Sequence, residues 1–380
     1  MSNKIISDVL LEVADAIESG NFGKKIRVGL TTLGSEHGPE NLINGARLAD
    51  KGMFEIVLIG KGAEGFTSYE VETEDEMYKK MEELLDAGEI DACVTMHYNF
   101  PIGVSTVGRV VTPARAKEMF IATTTGTSAT DRVEAMVRNA IYGISTAKAC
   151  GIERPSVGIL NLDGARQVEK VLLSIKDKGY DFDFAESMRA DGGSVMRGND
   201  LLIGVPDVMV TDTLTGNLLM KVFSSFNTGG DFEAQGFGYG PGIGEDYDRR
   251  VLILSRASGS PVVANALRYA YDIVKGQVNV MAREEYKKAL KCGLDKELAD
   301  LKSKKAPKTE SEEVVAPPKE VVTEGIAGVD ILDLEDAVKA LWKDGIYAES
   351  GMGCTGPIVM VSPEKLDKAI ESLKKNDFVK

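Results

Sequence analysis

Residues 206–221 read PDVMVTDTLTGNLLMK: an apolar run, a polar turn, then apolar residues at helical spacing. A strand that passes through a short turn straight into a helix is half of a strand–helix–strand unit. Such units stack into parallel sheets covered by helices. The same cycle recurs on both sides of this stretch. Upstream, IRVGLTTL (26–33) is a buried-strand run, and PENLINGARLADKG (39–52) is a helix with Pro39 at its start. FEIVLIG (54–60), the helical EDEMYKKMEELLDAG (74–88), DACVTM (91–96), FIATTT (120–125) and the long helix DRVEAMVRNAIYGISTAKAC (131–150) continue the alternation. RPSVGILNL (154–162) restarts it, followed by the helix GARQVEKVLLSIKDKG (164–179), the strands DFDFAES (181–187) and RRVLILS (249–255), and one long helix from Pro261 to about Leu290. The expected fold is α/β, a mostly parallel doubly wound sheet.

The chain of 380 residues is long enough for a large domain and a small one. Composition changes near residue 300. SKKAPKTESEEVVAPPKEVVTEG (303–325) has no aromatics and no periodicity, which predicts an extended linker. Order signals return in DLEDAVKALWKDG (333–345), a helix, GPIVMV (356–361), a strand, and SPEKLDKAIESLKK (362–375), a helix capped by Ser362. The expected division is a catalytic domain over 1–298, a flexible linker over 299–325, and a tethered small α/β segment over 326–380. The N-terminal MSNKIISDVLLEVADAIES (1–19) reads as an amphipathic helix rather than a signal peptide.

The net charge of −14 argues against nucleic acid or an anionic membrane as a partner, and no apolar run reaches bilayer length. A small anionic substrate must then be captured by a local positive site. Four scattered cysteines (Cys93, Cys150, Cys292 and Cys354) and no secretory signal predict reduced thiols in the cytoplasm. Two histidines are too few for a His-rich metal site, so no metal and no other cofactor is expected. The scattered GxG triplets do not follow a strand in the dinucleotide arrangement.

Cys354 lies in SGMGCTGP (350–357). Amides of such a glycine-rich loop, with Gly353, Thr355 and Gly356 as oxyanion candidates, would lower a thiol pKa and hold a thioester carbonyl. A tether before a reactive thiol would let it visit two sites. The bland alternative is a small residue in a tight turn. Thr215, Gly216 and Asn217 stand where a helix begins after a strand, a natural anion site. Ser255, Arg256 and Ser258 follow another strand, at the edge where ligands bind in doubly wound sheets. Arginine there can grip phosphate bidentately. FNTGGDFEAQGFGYGPGIGEDYD (226–248), glycine-dense with aromatics, reads as a loop or lid over the site. Cys93 and His97 are either an activated thiol and its base or a buried strand cysteine and a structural histidine. Cys150 and Cys292 read as structural.

LGSEHGPENLINGA (33–46), PSVGILNL (155–162) and PDVMVTDTLTGNLLMK resemble the phosphate acyltransferases of the PlsX type. The segment around LSRASGS (254–260) is similar to the matching part of phosphotransacetylases. Overall the chain resembles the alpha subunits of component C of glycine/sarcosine/betaine reductase complexes, which join such a catalytic domain to a C-terminal segment with a single cysteine. The resemblance implies that an acetyl group is held as a thioester on Cys354 and released to phosphate as acetyl phosphate, with Cys93 auxiliary. It implies phosphate contacts from Thr215, Asn217, Ser255 and Arg256. The implied partners are a component C beta subunit and selenoprotein A of the complex, and a homo-oligomer is a further expectation. Where PlsX-type chains carry an acid–glycine–aromatic stretch before TGN, this chain has Asp212-Thr213-Leu214, which suits a small acyl group. The other readings are an acyl-carrier phosphotransacylase, and a non-catalytic scaffold subunit.

Overall fold

The computed structural model describes Val13 and residues 25–190, 192–305, 314–327, 329, 334–353, 356–376 and 378–379. The helix expected over 1–19 lies, apart from Val13, outside the described residues.

The large sheet is two parallel halves joined by an antiparallel seam. In the first half the spatial order is Thr67–Glu70, Glu55–Gly60, Arg27–Thr31, Ala92–Thr95 and Val251–Ile253, every pair parallel. In the second, Glu118–Thr127, Val208–Val210 and Ser156–Leu160 are parallel, with Val195–Met196 and Asp183–Phe184 both added to the last. Strands such as Arg27–Thr31 and Glu55–Gly60 are buried along nearly their whole length because helices cover both faces. Mostly parallel, helix-covered architecture is what the alternating pattern predicted.

The seam was not anticipated. Val104–Val111 and Gly240–Ile243 run antiparallel to their neighbours and weld the halves together. The second belongs to the glycine-dense stretch that reads from sequence as a loop or lid, and for these four residues that expectation is wrong: Gly240–Ile243 is a strand buried throughout. Its glycines serve close approach. A Cβ on Gly240, whose φ is +85°, would sit 1.8 Å from the Val107 carbonyl oxygen. The single helix expected from Pro261 to Leu290 is two, Ser260–Lys275 and Val278–Lys291. The break falls where Gly276 packs so tightly on Ala149 that a Cβ would lie 1.8 Å from its carbonyl oxygen. A third helix, Leu294–Lys305, enters the span expected as linker. Residues 306–313 lie outside the described residues.

The C-terminal unit has its own core, in which Leu334, Val338 and Leu341 of the helix Leu334–Lys343 pack on Val359 and Val361. Its strands Glu324–Ala327, Gly356–Val361 and Ala348–Gly353 form an antiparallel sheet. The sheet does not end within the unit. Gly351 and Met352 pair with Pro101 and Phe100, from the part of the chain that builds the large sheet, and Ile102 packs against the small core.

Candidate functional site

The carboxyl ends of both halves open on one cleft, and two adjoining cavities occupy it. The larger, about 680 Å³, lies between the end of Glu118–Thr127, the helix Thr213–Ser225 and the C-terminal hairpin. Its walls include Thr125, Asn139, Asp212, Asn217, Lys221 and, from the hairpin, Met352, Gly353 and Pro357. The smaller, about 450 Å³, is lined by His97, Tyr239, Ser255 and Arg256. Thr125, Asn217 and Lys221 line both cavities.

The segment 206–221 supplies its residues unequally. Asp212 caps the helix, accepting the Thr215 N–H at 2.7 Å, and its carboxylate also pairs with Arg132. The positive end of the helix is therefore met by the chain's own acid. Thr215 lines neither cavity, and its N–H, expected to be open to phosphate, is taken by Asp212. Gly216 is needed for approach to a strand rather than to a ligand. A Cβ there would lie 1.7 Å from the Thr123 carbonyl oxygen. Asn217 does face the cleft, its amide donating to the Thr124 carbonyl oxygen at 3.1 Å. One turn later on the same face comes Lys221, which the sequence reading missed. Its ammonium stands 5.6 Å from the Tyr239 ring centroid.

From the other half come Ser255 and Arg256. Arg256 is half exposed and pairs with Glu74 at 3.1 Å, so an incoming anion shares the guanidinium with that carboxylate. His97 stands in the same cavity. Burial and the nearby Arg256 charge hold its pKa below the usual histidine range, so it enters neutral solution as an uncharged imidazole. Ser258 is fully buried and donates to Glu233 at 3.1 Å, which removes it from the phosphate contacts expected of it.

Cys93 is not the activated thiol that a Cys–His pairing would need. It is fully buried in the strand Ala92–Thr95, under Gly29 and Ile90, and burial pushes its thiol far above the ordinary range. Cys150 ends a helix with its thiol pushed up to about 12 by burial. Cys354 and Thr355 lie outside the described residues; their chain neighbours Gly353 and Gly356 pair with each other across the hairpin. The segment leading to Cys354, Ala348–Gly353, is a strand. Among the described residues no group of His, Cys, Asp and Glu side chains could hold a metal ion. Among the same residues no helix is long and apolar enough to cross a membrane.

A family model described as fatty acid synthesis protein matches residues 26–360. The chain is 63% identical over 374 residues to the glycine/sarcosine/betaine reductase complex component C subunit alpha of Peptoclostridium acidaminophilum, covering 98% of this chain and 97% of that one. It is 26% identical over 233 residues to the phosphate acyltransferase of Thermotoga petrophila, covering 52% of this chain and 67% of that one. Among solved structures, a branched-chain phosphotransacylase from Enterococcus faecalis superposes with a TM-score of 0.48 at 16% identity, covering 66% of this chain and 99% of that one.

Proposed function

Because the chain belongs to the family of component C alpha subunits of glycine/sarcosine/betaine reductase complexes, acyltransferase-type enzymes related to the phosphate acyltransferases, we propose that it carries an acetyl group as a thioester on Cys354 and releases it to inorganic phosphate as acetyl phosphate. In this reading the component C beta subunit and a selenoprotein of the complex are its partners, and the acetyl unit arrives through them.

The observation that carries the reading is the docking of the C-terminal hairpin. Gly353, next to Cys354, is part of the wall of a cavity whose opposite wall holds Asn217 and Lys221. Lys221 and Asn217 also line the neighbouring cavity with Arg256, so an anion held there sits beside the acyl carrier.

The chemistry follows from that neighbourhood. A phosphate oxygen attacks the thioester carbonyl carbon, the C–O bond forms, the C–S bond breaks, and the phosphate proton goes to the departing thiolate. Lys221 and Arg256 neutralise the nucleophile's charge and hold it in line, which converts a bimolecular attack into a local one. The hairpin pairing engages the amides of Gly353 and Gly356, so in this reading the Thr355 amide serves the oxyanion, and one well-placed donor of this kind contributes about 10²–10³ in rate. Phosphate is itself a competent nucleophile, so no strong base is required.

Mass spectrometry after exposure of the full chain to acetyl phosphate tests the carrier role. The acetyl group is expected on Cys354, and acetylation confined to other residues would reject it. For the acceptor site, Arg256→Ala is expected to raise the apparent phosphate KM by roughly tenfold, about 1.4 kcal/mol, with kcat moved less. An unchanged KM would remove Arg256 from the site.

A further inference from the structure

The helix Thr213–Ser225 turns Asn217 and Lys221 to the cleft and packs Met220 and Phe223 into the core. Its remaining, outward surface is apolar. Leu214, Leu218, Val222 and, one residue past the helix end, Phe226 are 82, 60, 48 and 48% exposed. They recur every four residues and so form one row along the helix. An outward helix face is ordinarily charged, as on Glu74–Asp86, where six acids and two lysines share thirteen positions. Thr213–Ser225 has no acid, and its one base, Lys221, lines both cavities and stands by the Tyr239 ring. A helix that is apolar on both sides belongs between two bodies, and among the described residues only the large sheet lies against this one.

The face itself indicates what the second body is. Its row is an i±4n ridge, which in the commonest class of helix pairing fits the groove of another such helix at about −50°. A two-fold axis beside Leu218 and Val222 would set the ridge of each copy into the groove of the other. Charge points the same way. At −14 per chain, two copies repel one another over most of their surface, and they can meet only through a face without acids. Apolarity also separates a permanent partner from a visiting one. Homodimer interfaces are more apolar than interfaces that form and part, which are about as polar as the rest of a surface. At about 150 Å² for a large side chain, the four residues expose roughly 350 Å². That is a sufficient apolar core for an interface of about 800 Å² per partner, with Thr215, Ser225 and Asn227 on its flanks. We propose that this ridge is the interface of a two-fold dimer of the chain. Leu214 belongs to the wall of the larger cavity as well as to the ridge, so the second copy covers that edge of the cleft.

Sedimentation equilibrium of the full chain tests the proposal. Wild type is expected to be a dimer at micromolar concentration. Leu218→Glu combined with Val222→Glu puts carboxylates at the centre of the ridge, at positions that line neither cavity. Association should weaken by at least about a hundredfold, giving a monomer at the same concentration. Both side chains are about half exposed or more, so the fold should survive, which far-ultraviolet circular dichroism checks. The milder pair Leu218→Ala and Val222→Ala, favourable to the helix, should weaken association by about tenfold. As a control, Leu173→Glu should leave the dimer intact. Leu173 is 43% exposed on the helix Ala165–Asp177, which packs on the opposite face of the sheet. A monomeric wild type would overturn the proposal and leave the ridge to a different protein. A folded ridge variant that stays dimeric would also overturn it, as would a control that dissociates equally. Sedimentation involves no acetyl chemistry, so this outcome is independent of the release reading.

Discussion

Cys354→Ser should abolish phosphate-dependent release of the acetyl group, lowering turnover by at least roughly 10³, equivalent to about 4 kcal/mol of transition-state stabilisation. The leaving group decides this. An ordinary thiol has a pKa near 8.5 and departs as a thiolate at modest cost. A serine alkoxide is a far stronger base, so an ester at the same position would resist attack by phosphate. Arsenate-driven breakdown of acetyl phosphate, followed on wild type and variant at equal protein concentration, reads the effect directly. Turnover of the variant within tenfold of wild type would remove Cys354 from the reaction. The substitution keeps the size and the backbone of the hairpin connection, so thermal stability should not change with it.

The second large effect is structural. Gly216→Ala should destabilise the catalytic domain by about 3 kcal/mol or more, the upper part of the range for overpacking. In an exposed helix the same change would gain about 1 kcal/mol, because alanine is the better helix former. Here a methyl group would lie 1.7 Å from the Thr123 carbonyl oxygen and 2.8 Å from the Thr211 hydroxyl oxygen, and neither is the end of a flexible side chain. The helix Thr213–Ser225 must lift from the strand Glu118–Thr127, carrying Asn217 and Lys221 away from Thr125. A thermal melt should fall by several degrees, and phosphate affinity should fall with it. A melting temperature at or above wild type would mean that helix propensity outweighs the contact.

These two glycine and cysteine positions also show what was legible beforehand. Strand–helix alternation identified both parallel halves, since buried strands and amphipathic helices differ in period whatever their partners. The seam escaped because GPGI carries the residues of a turn. Backbones that cross closely in a sheet centre demand glycine for the same reason that turns do, and local pattern does not separate the two demands. Asn217, Ser255 and Arg256 were found at the cleft because they follow strands. Thr215, Gly216 and Ser258 look identical on that criterion, but their contacts are with Asp212, the strand Glu118–Thr127 and Glu233. Lys221 could have been found from its spacing of one helical turn from Asn217, although a lysine on an exposed helix face has no distinguishing mark. Glu233 carried no signal, since its hold on Ser258 spans 25 residues.

The pairing of Gly351 and Met352 with Pro101 and Phe100 joins two bodies that are already one molecule. Contact between carrier and catalytic domain is therefore governed by effective concentration, in the millimolar range for short covalent connections, and not by how much protein the solution holds. Dilution should leave the rate of acetyl release per chain unchanged, even though loading by a separate partner slows in proportion. In the proposed cycle, the edge of a small sheet thus separates a step that depends on encounter from a step that does not.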